Sequence, residues 1–129
     1  RLSIDHKPEI ESERARIEAA GGRVFKLYGC WRVNGILAVS RAIGDAFMAP
    51  CVTYEPHVAE YPLDQNAQFL ILACDGLWDV ISDEEAVEIV KKYESPDQAA
   101  AALTQRAYDG FSQDNISVIV VFLQDRLAW

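Results

Sequence analysis

The chain has 129 residues, of which 50% are hydrophobic and 25% are charged, a composition typical of a folded globular protein rather than of a disordered tail. Twelve Lys and Arg against twenty Asp and Glu give a formal net charge of -8, which argues against binding to nucleic acid or to anionic lipid. The longest apolar runs have six residues, whereas a membrane-spanning helix needs roughly 20. We therefore expect a single folded unit that binds neither nucleic acid nor a membrane.

Three cysteines lie far apart and form no CxxC pair, a pattern that favours a reducing compartment over a disulfide framework. The sequence therefore predicts an intracellular protein, either cytoplasmic or nuclear. The first residue is Arg1, and neither Met nor an apolar leader precedes the folded part. We expect that the natural start lies outside this sequence and that any targeting segment is not visible in it.

The first predicted element is a helix over residues 9–20. Pro8 lies near its start and Gly21 follows its end, the arrangement that helices prefer. Glu13 and Arg16 are spaced as an i, i+3 charge pair. Because the helix has little apolar content, we expect it to lie on the surface with its charges in solvent.

Short β-type segments follow the helix. Residues 24–28 and 36–39 are predicted strands, and Asn34–Gly35 between them is typical of a tight hairpin turn. The segment 41–62 has no clear periodicity and is expected to be rich in loops.

Two strands of the second half are apolar at nearly every position. Residues 69–74 and most of residues 116–123 show no polar alternation, which predicts strands with both faces covered.

Two helices are predicted between those strands. Ser82 with Glu85 three residues later forms a capping box, followed by an apolar stripe. Ser95 and Pro96 give a second start, and Gly110 can end that helix. The predicted apolar positions of the two helices are Ala86, Val90 and Tyr93, and Ala100, Leu103 and Ala107.

Three aspartates are candidate metal ligands. Asp75 ends the first apolar strand and Asp114 precedes the second, so with two helices between them both are expected at the same edge of a sheet. Asp79 follows Asp75 by four residues and would join them if Leu77 begins a helical turn. Hard carboxylate oxygens without a nearby His or Cys suit Mg²⁺ or Mn²⁺.

A structural interpretation of these residues stays open. Asp before Gly and Asp before Asn are frequent turn dipeptides that close strands without any chemistry. His6 and His57 lie far apart in the sequence, pair with no Cys or Ser, and are interpreted as structural.

Five sequence blocks, in order, resemble the type 2C family of metal-dependent protein serine/threonine phosphatases. Each block is weak alone, but together they span nearly the whole chain. They are DHKP from Asp5, ERARIEAAGG over 13–22, RVNGILAVSRAIGD over 32–45, FLILACDGLWDV over 69–80 and DNISVIVV over 114–121.

This resemblance implies an α+β fold, part of an antiparallel β-sandwich flanked by helices. Residues 1–129 would form the C-terminal portion of the catalytic domain, with the flap region around 32–62. The implied activity is hydrolysis of phosphoserine or phosphothreonine in proteins by a metal-activated water, with two or more Mg²⁺ or Mn²⁺ ions. Asp75 and Asp114 resemble ligands of the core metal site, and Asp79 resembles a ligand of a further, weaker site.

Other blocks of the family are absent from the sequence. It contains no DGHG-type block with the bridging aspartate, no GDSR-type block and no counterpart of the arginine that grips the phosphate. We therefore expect an incomplete domain whose 129 residues alone are weakly active or inactive. Its apolar strands would expose edges, through which the fragment could self-associate.

Several alternatives stay open on sequence grounds. The parent protein could be an active phosphatase of phosphoproteins, or a pseudophosphatase that keeps the fold as a scaffold or binding module. Arg41 could reach a phosphate or form a structural ion pair with Asp45. Trp78 could be a packing aromatic or a substrate contact, and Asn115 could orient Asp114 or cap the turn.

Overall fold

The computed structural model describes residues 1–123, and the chain divides into two compact units, Arg1–Glu60 and Tyr61–Trp129. The prediction of a single unit without an internal boundary is not matched. The junction lies within residues 54–68, which contain neither a helix nor a strand. Because no change in composition marks this loop, the sequence carried no clear indication of the boundary.

The first unit combines one helix with a hairpin. Helix α1 spans Glu11–Ala19, and strands β1 (Val24–Leu27) and β2 (Cys30–Val33) pair antiparallel. A single 3-10 turn, Ala46–Met48, follows. The buried apolar residues of this unit are Ile17, Val24, Val33, Met48, Cys51 and Val52.

The hairpin turns at a different place from the one predicted. Tyr28 and Gly29 connect β1 to β2 with φ angles of 49° and 85°. Asn34 and Gly35 also have positive φ angles, 51° and 75°, but their turn leads only to an isolated bridge between Val33 and Leu37. The predicted strand over 36–39 is therefore wrong. A Tyr is unusual in the left-handed region, so Asn-Gly is the stronger turn signal of the two.

Helix α1 is more buried than its sequence predicts. Ile17 is fully buried, and Glu13, predicted to lie in solvent, is only 2% exposed. The spacing of Glu13 and Arg16 does produce an ion pair, with 3.0 Å between the carboxylate and the guanidinium. The expectation of a solvated charged face is thus wrong for Glu13, because two arginines accompany that carboxylate into the interior.

The second unit packs helices against one antiparallel strand pair. Its elements in chain order are β3 (Phe69–Ala73), α2 (Asp75–Trp78), α3 (Asp83–Val90), α4 (Pro96–Asp109) and β4 (Val118–Phe122). Strands β3 and β4 pair from Phe69 opposite Phe122 to Ala73 opposite Val118. The buried core consists of Leu77, Ile81, Ala86, Val90, Ala99, Leu103, Ala107 and Val120.

The predicted helix starts of this unit are confirmed. Ser82 accepts a hydrogen bond from the backbone N–H of Glu85 at 3.2 Å, as a capping box requires. Pro96 occupies the first turn of α4, although Ser95 makes no side-chain cap. Helix α4 ends as predicted at Gly110, but the left-handed residue is Phe111, with a φ of 61°.

Only one face of the β3–β4 pair is covered within residues 1–123. Val120 is buried against the helices, and Ile71 packs there beside it. On the alternate positions Leu72 is 49% and Ile119 is 60% exposed. Within residues 1–123 the helices therefore cover one face only, and the other face stays exposed, as expected for the apolar strands of an incomplete domain.

Helices mixed with antiparallel strand pairs confirm the predicted α+β class. All three cysteines are free, as their spacing indicates. Across residues 1–123, every helix is too short or too polar to cross a membrane.

Candidate metal-binding edge

Asp75 lies where strand β3 passes into helix α2. The strand ends at Ala73, and Asp75 is the first residue of the single-turn helix that follows. Its side chain is exposed. The buried Leu77 holds this turn in the apolar core, so the carboxylate is displayed from a fixed backbone.

Asp114 is brought to the same edge by strand pairing. The β3–β4 ladder continues beyond the strands, since the Cys74 N–H donates to the Ser117 carbonyl at 3.2 Å. The Cys74 thiol also donates to the Asn115 carbonyl at 3.1 Å. Gly76 lies so close to that carbonyl that any side chain there would collide with it. The segments that carry Asp75 and Asp114 are therefore in direct contact, as predicted.

Asp79 shares the helical turn of Asp75. Its backbone N–H donates to the Asp75 carbonyl at 2.9 Å, and its own backbone is helical. The turn begins at Asp75 itself, two residues earlier than the sequence suggested. Residues four apart on a helix lie on one side, and both carboxylates are exposed. We refer to Asp75, Asp79 and Asp114 as the acidic edge.

No cation neutralises the acidic edge from within residues 1–123: none of the three carboxylates forms an ion pair there. One oxygen of Asp114 accepts the backbone N–H of Asn115 at 2.7 Å. Among residues 1–123, Asn115 thus orients Asp114 through its backbone rather than through its side chain, and the second carboxylate oxygen accepts no hydrogen bond there.

The donor chemistry of the acidic edge fits a hard divalent cation, because carboxylate oxygens are the preferred ligands of Mg²⁺ and Mn²⁺. By themselves, however, the three carboxylates do not form a complete metal site. In the described part of the chain, no group of three or more His, Cys, Asp or Glu side chains is arranged to hold a metal ion. The assignment of Asp75, Asp79 and Asp114 as ligands therefore stays a prediction.

Neighbouring side chains fix the backbone of the edge. The Trp78 indole N–H donates to the Ala73 carbonyl at 2.9 Å, and its ring packs against the core, which supports its interpretation as a packing aromatic. The Ser112 hydroxyl donates to the Gly76 carbonyl at 2.7 Å. The sequence analysis missed this role of Ser112, because a contact across 36 residues leaves no local pattern.

Arg41 has a structural partner in the first unit. Its guanidinium donates to both carboxylate oxygens of Glu13, at 2.6 and 3.2 Å. The ion-pair alternative is thus the one observed, but the expected partner Asp45 was wrong. Arg16 donates to the same carboxylate and to the carbonyls of Ser40 and Cys51. Hydrogen bonding to Arg41 is the main reason that the pKa of Glu13 falls to about 2.

His6 and His57 meet despite their distance in the sequence. Their ring centroids are 5.5 Å apart, and Nδ1 of His6 lies 3.7 Å from the Glu13 carboxylate. Burial, followed by the charge of Arg41, lowers the pKa of His6. The histidines belong to the network that ties α1 to its loops, which agrees with a structural interpretation. No sequence pattern predicted their contact.

Comparison with known proteins agrees with this architecture. The family model "Protein phosphatase 2C" matches residues 1–116. A probable protein phosphatase 2C 7 of Oryza sativa is 52% identical over 98% of this chain, and a probable protein phosphatase 2C 59 of Arabidopsis thaliana is 49% identical over 97%. The chain spans 34% and 40% of the lengths of these two relatives.

Solved structures show the same fold. A C. elegans sex-determining protein superimposes with a TM-score of 0.89 at 32% identity, over 95% of this chain and 32% of its own. A serine-threonine phosphatase 2C from Toxoplasma gondii superimposes with a TM-score of 0.80 at 30% identity, over 95% of this chain and 46% of its own. The five sequence blocks, the fold and the family match lead to one conclusion: the chain belongs to the protein phosphatase 2C family.

Proposed function

We propose that the protein containing this chain hydrolyses phosphoserine and phosphothreonine in proteins, and that it requires Mg²⁺ or Mn²⁺. One observation carries this proposal. Two carboxylates with no cation partner among residues 1–123, Asp75 and Asp114, belong to segments that the β3–β4 register and the Gly76–Asn115 contact hold together. Negative side chains at one edge repel each other unless a cation joins them.

In this proposal Asp75 and Asp114 hold the core metal ions, and Asp79 contributes to a weaker site. Bound divalent ions would lower the pKa of a water molecule and offset charge on the phosphoryl group. The chain's own contribution is positional. Asn115 orients the Asp114 carboxylate through a backbone hydrogen bond, and Ser112 anchors the backbone of the Asp75 turn.

The test is Mn²⁺-dependent hydrolysis of a phosphothreonine peptide by the longest native protein that contains this sequence. We expect Asp75→Asn and Asp114→Asn each to lower kcat/KM by at least about 100-fold, because each removes a charged ligand. Calorimetric titration with Mn²⁺ gives a second readout, and both variants should bind the metal more weakly.

A matched control is Asp97→Asn. Asp97, like Asp75, is an exposed aspartate in the first turn of a helix, but it lies outside the acidic edge. It should retain activity and Mn²⁺ affinity. An inactive native protein that folds and binds no Mn²⁺ would instead support the alternative of a pseudophosphatase that acts as a scaffold.

The 129-residue chain alone is proposed to be inactive or weakly active. Two core carboxylates leave most coordination positions of a divalent ion to water. The chain alone is also proposed to self-associate through the edges of its two-stranded sheets, since unpaired strand edges recruit further strands. Turnover of the phosphopeptide by the isolated chain would contradict the first point. A monomeric mass in light scattering would contradict the second.

Three free cysteines, one of them exposed, further support a reducing, intracellular location of the protein. Fluorescent tagging of the native protein tests this, and secretion into the medium would contradict it.

A further inference from the structure

A groove at the end of α4 has an unusual lining. Its volume is about 360 Å³, and it is lined by Tyr108, Asp109, Phe111, Ser112 and Gln113. Tyr108 is 71% and Phe111 is 82% exposed. Exposed aromatic side chains that line the same cavity are typical of a surface that binds a partner.

The backbone of this groove is fixed rather than loose. Phe111 donates its N–H to the Tyr108 carbonyl at 3.0 Å, and Ser112 donates its N–H to the Ala107 carbonyl at 3.1 Å. Phe111 has a φ of 61°, a conformation that costs a non-glycine residue of order 1 kcal/mol or more. Among residues 1–123 Phe111 is 82% exposed. Packing in the core therefore does not explain why an aromatic residue occupies this strained position.

The charge of the groove is negative. One oxygen of Asp109 accepts from the Gln105 side chain at 2.8 Å, and no cation pairs with Asp109 within residues 1–123. The basic residue one turn earlier, Arg106, is already paired with Glu85 at 2.8 Å. Two aromatic faces beside an unpaired carboxylate suit a guanidinium group, which stacks on the rings while its charge faces the acid.

The groove lies close to the acidic edge along the chain. Asp114 follows Phe111 by three positions, a span of at most about 11 Å. Ser112 lines the groove and also donates to the Gly76 carbonyl at 2.7 Å, next to Asp75. A peptide whose phosphorylated residue lies at the acidic edge would therefore reach the groove within about three residues of extended chain.

We propose that this groove selects phosphopeptide substrates that carry an arginine within about three residues of the phosphorylated residue. The arginine stacks on Phe111 and Tyr108 and faces Asp109. This inference rests on the proposed function, since it names the substrate class of the same site. Phe111 and Asp109 are specificity-determining residues in it, and they take no part in the hydrolytic chemistry.

The test measures peptide affinity separately from turnover, in the longest native protein that contains this sequence. The probe is a fluorescent peptide with a non-hydrolysable phosphonate in place of phosphothreonine, with either Arg or Ala at the flanking position. The variant is Phe111→Asn, because Asn tolerates positive φ and keeps the loop. We expect it to weaken binding of the Arg peptide about 5- to 20-fold and to leave the Ala peptide nearly unchanged.

Two further variants complete the design. Asp109→Asn should weaken binding of the Arg peptide alone. Tyr28→Asn is the matched control, because Tyr28 is also a fully exposed aromatic with positive φ, 49°; it should leave both affinities unchanged. Equal affinity of the wild type for the Arg and Ala peptides, or an equal loss for both in Phe111→Asn, would overturn the groove proposal.

The proposed function is read separately, from Mn²⁺-dependent hydrolysis of p-nitrophenyl phosphate, which is too small to reach the groove. The Phe111→Asn variant should hydrolyse this compound at the wild-type rate. If the wild type does not hydrolyse it, the proposed function is overturned, whatever the peptide affinities are.

Discussion

Both units of this chain pack an apolar core, but within residues 1–123 they differ in buried charge. The first, Arg1–Glu60, places a nearly fully buried carboxylate, Glu13, between the guanidinium groups of Arg16 and Arg41. The second, Tyr61–Trp129, buries eight apolar residues between helices and one face of a strand pair, with no buried charge among residues 61–123. Charge pairing and apolar packing respond differently to substitution and to pH, so this comparison can be tested.

The two kinds of contact also order different parts of the backbone in each unit. Arg16 and Arg41 donate to carbonyls of Ser40, Cys51 and Glu55 as well as to Glu13, so the ionic network ties helix α1 to the loops that follow the hairpin. In the second unit, the apolar core fixes the backbone of α2 and leaves the acidic edge free of structural ion pairs. Carboxylates not needed for stability are available for a ligand.

The largest expected effect is a cavity in the second unit. Leu103→Ala removes a fully buried side chain from α4 and should lower the free energy of unfolding by about 3 to 5 kcal/mol. Hydrogen exchange in the native protein, read for each unit, measures this loss in residues 61–123. The control Leu63→Ala, at a side chain that is 68% exposed, should cost less than about 1 kcal/mol. Equal effects of the two would refute an apolar core as the main stabilising element.

A somewhat smaller loss is expected from breaking the ionic network of the first unit. Glu13→Gln leaves two guanidinium groups without their carboxylate and should cost about 2 to 3 kcal/mol, less than for a fully buried pair because both arginines keep partial access to water. Glu18→Gln is the matched control, since the Arg14–Glu18 pair is exposed; its cost should be below about 0.5 kcal/mol. The measurement is the protection of the backbone amides of residues 1–60 from hydrogen exchange in the native protein.

Acid should weaken the first unit through the same carboxylate. The pKa of Glu13 falls from 4.5 to about 2 in the folded protein, so its contribution is fully present above about pH 4.5 and is lost as the pH falls through about 2. We expect about 3 kcal/mol of stability to disappear over this window.

The measurement is urea unfolding at several pH values for the wild type and Glu13→Gln, which cancels the titration of all other groups. Their difference in stability should narrow as the pH is lowered. A constant difference between about pH 5 and pH 2 would show that Glu13 acts through packing rather than through its charge.

The smallest expected effect concerns helix caps in the second unit. Ser82→Ala removes the side-chain acceptor for the Glu85 N–H and should cost about 1 kcal/mol. Ser95→Ala, at a helix start without a side-chain cap, should be nearly neutral. Thermal unfolding midpoints of the two variants measure this contrast, and equal midpoints would show that the Ser82 cap does not stabilise this unit.

Local patterns predicted much of the second unit. The capping box at Ser82, the start of α4 and the two apolar strands were all readable, because each depends on residues that are neighbours in sequence. The meeting of the segments that carry Asp75 and Asp114 also followed from counting elements. That Ala99 rather than Ala100 is the fully buried residue differs from the prediction by one position, within the breadth of a helical face.

The first unit was predicted less well, for physical reasons. The hairpin turns at Tyr28–Gly29 rather than at Asn34–Gly35, and pairing of β1 with β2 decides between two segments that can both turn. Glu13 reads as a surface charge because its second partner, Arg41, lies 28 residues away. A charge pattern along a helix cannot reveal an arginine that arrives from a distant loop.

By itself the sequence determined the α+β class, the resemblance to a phosphatase family and the three aspartates predicted to bind metal, because these depend on local periodicity and on the identity of residues in ordered blocks. Only the tertiary structure decided which charges are buried, which turn makes the hairpin, how Gly76 and Ser112 fix the acidic edge and where the groove at the end of α4 opens. Each of these depends on contacts between residues far apart in the chain, and such contacts form only when the helices and strands pack.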